Sequence, residues 1–197
     1  MATTDTRNHI IEAADQLFYE QGFEHTSFSH IADAVQISRG NFYHHFKTKD
    51  AILDTVIEAR LARTRDMLAR WEGESKTPID RIKSYMRILL VNWDKIQHFG
   101  CPVGTLCSEL AKLNHASQTE ARQVFTLFRE WLRTQFLALG HQDHSDELAM
   151  HVIAWSQGVA ALGQTFRDLV FVRREVEGKC AWLDALAGES DQTSTGR

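Results

Sequence analysis

Residues 22–50 read GFEHTSFSHIADAVQISRGNFYHHFKTKD. Thr26 and Ser27 are good N-caps for a helix that turns Phe28, Ile31, Ala32 and Val35 inward. Gln36-Ile37 is a turn, and Ser38 caps a further helix with Phe42, Tyr43 and Phe46 on its apolar side. Upstream, Ile10, Ile11, Ala14, Leu17 and Phe18 recur at helical spacing, and Gly22 closes that helix. The stretch therefore predicts three short helices with a helix-turn-helix at their centre.

A helix that reads a DNA groove needs a capped start aimed at the duplex, small or polar outward residues and a rigid apolar back. Ser38, Arg39, Gly40 and Asn41 supply the first two. Arg39 can bridge guanine O6 and N7, Asn41 can pair with adenine, and Gly40 lets backbone approach bases or sugars closely. Tyr43, His44 and Lys49 are spaced to reach phosphates on the flanks. Thr26 and Ser27 bring hydroxyls and unpaired backbone N–H groups to another helix start, a natural phosphate seat. The same spacing also fits the caps and core of a plain helical bundle, so spacing alone leaves both readings standing.

Charge bears on the choice. The chain's formal net charge is −4, which argues mildly against DNA binding, because affinity comes largely from neutralising phosphates. From Ser38 to Lys49, however, Arg39, Lys47 and Lys49 are joined by His44 and His45 and by no acid. A small cationic patch on an acidic body suits docking by one face.

The remaining chain continues the helical pattern, with only 2 Pro in 197 residues. Thr48 caps a long fourth helix towards Trp71, and Glu72–Pro78 is a polar break. Thr77 and Pro78 open a fifth helix to about Gln97. A sixth ends near Lys112, a seventh spans Ser117 to Gly140, Ser145 caps an eighth, and a ninth runs from Leu169 to Leu186. The expectation is an all-α fold of about nine helices. An N-terminal three-helix DNA-binding domain takes residues 1–50, a ligand-binding and dimerisation domain 51–187, and a disordered polar tail 188–197. No apolar run of membrane-spanning length and no secretory leader occurs. Three cysteines make no disulfide framework, so a cytoplasmic protein is expected.

The run TSFSHIADAVQISRGNFYHHFKTKDAIL resembles the N-terminal domain of the TetR family of bacterial transcription regulators. Thr26, Ser27, Ile31, Ala32, Ser38, Gly40, Tyr43, His44, Phe46, Lys49 and Asp50 sit on the family's marks. Gln36 departs from the usual turn glycine, which predicts a looser or mildly strained turn. The resemblance implies a homodimer whose two third helices lie in successive major grooves of a near-palindromic double-stranded operator. It also implies a small-molecule effector, held in the C-terminal body, that tilts the fourth helix and releases DNA. The regulator would most often be a repressor.

For the effector, the apolar and aromatic residues Met86, Leu89, Trp93, Phe99, Cys101, Phe128, Trp131 and Trp155 are candidate lining, with His151, Asn92, Gln123 and Gln157 as polar points. For the dimer, the resemblance points to the last two helices. There Trp155, Gly158, Val159, Leu162 and Phe166, then Val176, Cys180 and Leu183, recur as apolar or small stripes. The stretch FGCPVGTLCSELA (99–111) resembles a Gly-Cys-Pro/Leu-x-Gly-x-Leu-x-x-Glu motif in a branch that includes N-ethylmaleimide-responsive repressors, which would make Cys101 an electrophile or redox sensor. A small residue packed at a helix start is the favoured reading of it. His141 and His144 in HQDH are read as loop histidines, with no metal and no cofactor expected. No GxGxxG, P-loop or HExxH occurs, so the chain is not expected to be an enzyme, and an enzyme built on Cys101 and His98 is the weaker rival. A helical dimer that does not bind DNA is the other.

Overall fold

A computed structural model of the chain describes residues 3–194, with the side chains of residues 3, 4, 39 and 189–194 outside that description. Every regular element among the described residues is a helix: α1 Thr3–Gln21, α2 Phe28–Val35, α3 Arg39–His45, α4 Lys49–Glu74, α5 Pro78–Val91, α6 Trp93–Phe99, α7 Pro102–Lys112, α8 Gln118–Ala121, α9 Gln123–Ala138, α10 Ser145–Phe166 and α11 Leu169–Ser194. The all-α expectation holds. Two of the nine expected helices are interrupted, the fifth at Asn92 (φ −101°, ψ 14°) and the seventh at Arg122.

The ends of α2 to α5 follow local chemistry. Ser27 accepts from the His30 backbone N–H at 3.2 Å, while the Ser27 N–H donates to His30 Nδ1 at 3.4 Å, a capping box with histidine in place of the usual Glu or Gln. Ser38, Thr48 and Thr77 accept from the N–H groups of Asn41, Ala51 and Asp80. Ser145 does not cap α10 as expected. It is buried as the helix's first residue, and His144 before it makes no side-chain cap bond. Residues 188–194 continue α11 instead of being disordered. They contain no proline, and extending a helix from a packed stem needs no new nucleus. Residues 195–197 of the expected tail lie outside the described residues.

The chain forms two compact units. One draws together the chain up to Arg63 with Pro102–Val124, the other Thr64–Cys101 with the chain from Phe125. The expected boundary at residue 50 marks the end of the helix-turn-helix, not the edge of a compact unit.

In the first unit, Ile10, Ala14, Phe18, Ile31, Phe42, Phe46, Ile52 and Leu53 are buried. Polar bonds join its distant segments. Arg60 Nε donates to Asp15 at 2.6 Å and its Nη1 to the Pro102 carbonyl at 2.7 Å, Arg63 also pairs with Asp15, and the buried Ser117 hydroxyl donates to Asp54 at 2.7 Å.

In the second unit, Leu89, Trp93, Ile96, Val159, Ala160, Val172 and Val176 form one apolar cluster. Gly163 is required there, since a Cβ would lie 2.7 Å from Val172 Cγ2 and 3.0 Å from Trp93 Cζ3. The Tyr85 hydroxyl pairs with Ser156 at 3.1 Å within the core. Burial, the larger influence, pushes the Tyr85 phenol well above its ordinary pKa although the Ser156 bond opposes it, so the phenol stays protonated.

The α2–α3 turn is tight and mildly strained, the second of the two outcomes anticipated for a turn without glycine. Gln36 adopts φ 56°, ψ 40°, its N–H reaches the Asp33 carbonyl, and the Ile37 N–H reaches the Ala32 carbonyl at 3.2 Å. These are the two bonds of a Schellman motif with glutamine at the left-handed position. A side chain there costs about 1 kcal/mol. Gln36→Gly is therefore expected to raise the unfolding free energy by about 1 kcal/mol and Tm by about 2–4 °C. Thermal denaturation followed by circular dichroism checks this, and an unchanged or lower Tm would show that the glutamine is not strained.

Candidate nucleic-acid interface

The back of α3 is built from aromatic rings. Phe42 is 1% exposed and meets Phe28 edge-on, with centroids 5.1 Å apart. Tyr43 lies nearly parallel to Phe28, at 5.3 Å and 17°. Phe46 closes the helix below, buried, with the Arg7 guanidinium 5.0 Å from its ring. Fully burying each phenylalanine is worth about 1.5–3 kcal/mol, which fixes how this seven-residue helix is rotated.

That rotation leaves Ser38, Gly40, Asn41, Tyr43 and His44 exposed together. Tyr43 keeps 47% of its surface free although its ring is stacked. Among the described residues, nothing beyond its chain neighbours and its own helix backbone lies within 4 Å of a Cβ placed on Gly40, so its small size answers no packing need there. The side chain of Arg39 lies outside the described residues; its backbone occupies the first turn of α3. The exposed Lys47 folds back to donate to the Tyr43 carbonyl at 2.6 Å.

Two expected phosphate contacts are placed differently. Thr26 is 1% exposed and its hydroxyl donates to the Gly22 carbonyl at 2.7 Å, closing the α1–α2 loop instead of facing outward. Ser27 beside it stays exposed. The Lys49 ammonium donates to the carbonyls of Phe23 at 2.9 Å and Glu24 at 3.3 Å and sits 4.2 Å from the Phe23 ring centroid. Two of its three donors are thus used inside the unit.

The expected effector lining is only partly brought together. Leu89 and Trp93 belong to the second unit's apolar cluster, with Cys101 and Trp155 packed against it. Met86, Phe128 and Trp131 are buried in the same unit, Phe128 edge-on to Tyr85 at 5.1 Å and Trp131 against Trp71 at 5.7 Å, while Phe99 is half-buried. His151 does not join them. It is exposed, with Nε2 2.9 Å from Lys179 Nζ and its ring 5.2 Å from Trp182. Burial and then the Lys179 charge hold its pKa below the ordinary histidine value. Asn92 is exposed and bonded to the Ile88 carbonyl, Gln123 is exposed in the first unit, and Gln157 reaches Ser156 at 3.4 Å. The buried polar pair is Tyr85–Ser156, which the sequence did not single out: a Tyr and a Ser seventy-one residues apart carry no local pattern. None of the three cysteines is in a disulfide, and no cluster of three or more metal-ligating side chains occurs among the described residues.

Of the expected dimer residues, Gly158, Leu162 and Phe166 are exposed, Trp155 and Cys180 are half-buried, and Val159, Val176 and Leu183 are buried within the protomer. Those three serve the protomer's own core, because the stripes on α10 and α11 are wide enough to face both inward and outward.

A family profile for bacterial regulatory proteins of the tetR family matches residues 10–56, and one for the LmrA/YxaF-like transcriptional regulator C-terminal domain matches residues 78–174. The chain belongs to the TetR family of transcription regulators, which act by binding DNA and not as enzymes. The HTH-type transcriptional repressor DhaR of Mycobacterium sp. (strain GP1) is 27% identical over 134 residues, covering 68% of this chain and 65% of that protein, just under two thirds of its length. The HTH-type transcriptional repressor NemR of Escherichia coli (strain K12) is 28% identical over 151 residues, 71% of each. A crystal structure of a TetR transcriptional regulator from Legionella pneumophila superposes with a TM-score of 0.78 at 24% identity, over 90% of this chain and 95% of that one, which bears on the fold. No helix among the described residues is long and apolar enough to cross a membrane.

Gly40 separates folding from recognition. Gly40→Ala is expected to leave Tm unchanged or to raise stability by up to about 1 kcal/mol, since alanine favours helix and meets nothing, while weakening DNA binding at least about tenfold. Thermal melts paired with fluorescence anisotropy on bound DNA check both halves. Undiminished binding would place the α3 face away from the duplex.

Proposed function

We propose that this chain is a repressor that binds a near-palindromic operator as a homodimer, the exposed face of each α3 lying in a major groove, and that a small apolar or electrophilic molecule releases it. The observation that carries the reading is the exposed set Ser38, Gly40, Asn41, Tyr43 and His44 on a helix locked from behind by Phe28 and Phe42. Ser27 and Ser38 add hydroxyls at the two helix starts, and Arg39 a bidentate donor for guanine. In this account residues 1–50 read DNA and 51–187 carry the effector and dimer functions.

Dimerisation is supported by the outer face of α10. Met150, Ala154, Gly158, Ala161, Leu162 and Phe166 are all exposed, Leu162 at 48% and Phe166 at 72%, and Val170 at the start of α11 extends them at 78%. Among the described residues, nothing beyond its neighbours and its own helix backbone lies within 4 Å of a Cβ on Gly158, which leaves room for a partner helix to approach there. An isologous pairing of α10 and α11 with their twins would cover this apolar surface.

An effector site is supported by the second unit's apolar cluster, where the half-buried Cys101 and Trp155 pack beside the residues that α5, α6, α10 and α11 bury. Tyr85 and Ser156 give that unit a buried hydroxyl pair able to orient a ligand's polar group. Reaction of Cys101 with an electrophile is the variant of this reading that the Gly-Cys-Pro stretch favours. Burial pushes the Cys180 thiol up, which lowers that cysteine's own reactivity at neutral pH.

The test is enrichment of sheared genomic DNA on immobilised protein at modest ionic strength. Wild type is expected to select discrete fragments with affinity falling steeply as salt rises, and Arg39→Ala to lose them with the fold intact. No preference over random DNA would reject the reading. Separately, Leu162→Glu with Phe166→Glu is expected to halve the mass measured by light scattering while leaving the helical spectrum unchanged. A mass equal to wild type would exclude this face as the interface.

A further inference from the structure

Glu109 lies in the 99–111 stretch, on α7, and its carboxylate is committed to the α1–α2 loop. Oε2 accepts the Phe23 N–H at 2.9 Å and Oε1 accepts the Glu24 N–H at 3.0 Å. Lys49 donates to the carbonyls of the same two residues from the start of α4. The peptide groups of Phe23 and Glu24 are thus held through both N–H groups by an anion and both carbonyls by a cation. Gly22 beside them is at φ +90°, and a Cβ there would lie 2.9 Å from Glu109 Oε1, so the loop's shape is matched to the carboxylate. The His115 ring, just past α7, meets Phe23 edge-on at 5.0 Å. At the other end of α7, the Pro102 carbonyl is held by Arg60, which also binds Asp15 of α1. Polar bonds therefore strap α7 to α1 and its following loop at both ends.

We infer that Glu109 is a positioning residue for DNA recognition: it sets the α1–α2 loop, and through it the start of α2 against which α3 is aimed. The loop leads within three residues to Ser27, the cap of α2, and α2 carries Phe28, on which Phe42 and Tyr43 of α3 rest. A carboxylate accepting two backbone N–H groups is a strong, directional anchor, and a displacement of α7 would move it. The stretch that contains Cys101 thereby acts on DNA binding through its glutamate. This rests on the DNA-binding role proposed above.

The experiment uses the full-length dimer and a genomic fragment selected by the wild-type protein. Glu109→Gln keeps one acceptor oxygen and replaces the other with an NH2 that cannot accept, so one of the two N–H groups loses its partner. Expected is at least a tenfold loss of affinity by fluorescence anisotropy, greater in Glu109→Ala. The slope of log affinity against log salt is expected to stay the same, because the phosphate contacts are not removed. Hydrogen exchange should quicken at one of the Phe23 and Glu24 amides in Glu109→Gln and at both in Glu109→Ala, while those of Phe42 and Phe46 keep their protection. Wild-type affinity in Glu109→Gln overturns the inference. So does a loss of affinity accompanied by lost protection across α3, which would mark general unfolding. Arg39→Ala weakened beside an unaffected Glu109→Gln overturns this inference alone. A wild type that selects no DNA overturns both it and the reading on which it rests.

Discussion

The edge-on contact of Phe42 with Phe28, with Tyr43 stacked parallel to the same ring, is the constraint on which the rest depends. A seven-residue helix has no stability of its own in water, since isolated helices below about 12–15 residues are marginal. The register and rotation of α3 are therefore set by what its rings touch. With Phe42 and Phe46 inward, Ser38, Gly40, Asn41 and His44 must face out, and Tyr43 is shared between the two roles. The same packing that folds the unit presents the exposed face proposed to read DNA.

The compact unit around that face is larger than the helix-turn-helix. Residues 102–124 belong to it, bound by Glu109 to the α1–α2 loop, by Ser117 to Asp54, and at Pro102 by Arg60. These are part-buried hydrogen bonds to charged groups, worth roughly 1.5–3 kcal/mol each, more than an exposed, solvent-screened ion pair such as Arg129–Asp146 contributes. These polar bonds, together with the buried Leu106, Leu110, Ala121 and Val124, place residues 102–124 in one compact unit with α3.

Much of this was legible in the sequence because it is local. Caps at Ser27, Ser38 and Thr77 are read from residue type, and the helices from the spacing of apolar residues. The roles of Thr26 and Lys49 were not legible. A hydroxyl or ammonium near a helix start is equally suited to a phosphate or to a carbonyl of its own chain, and only the path of residues 22–24 decides. Glu109 was visible as part of a motif, but its partners lie 85 and 86 residues away. For Gln36 the missing glycine left a looser or a mildly strained turn open, and the two backbone bonds of the Schellman motif hold the strained one at φ 56°. On α10 and α11 the apolar stripe was seen, but a helix wheel does not say which edge packs within the chain, and Val159, Val176 and Leu183 are buried there.

The central claim is that the outward face of α3 enters a duplex, twice per dimer. Hydroxyl-radical footprinting on a fragment that the wild-type protein selects tests it most directly. The account predicts two protected half-sites on one face of the DNA, with centres about 34–36 Å apart or slightly more and related by a pseudo-twofold. A single protected site, or a continuous pattern without symmetry, would contradict it.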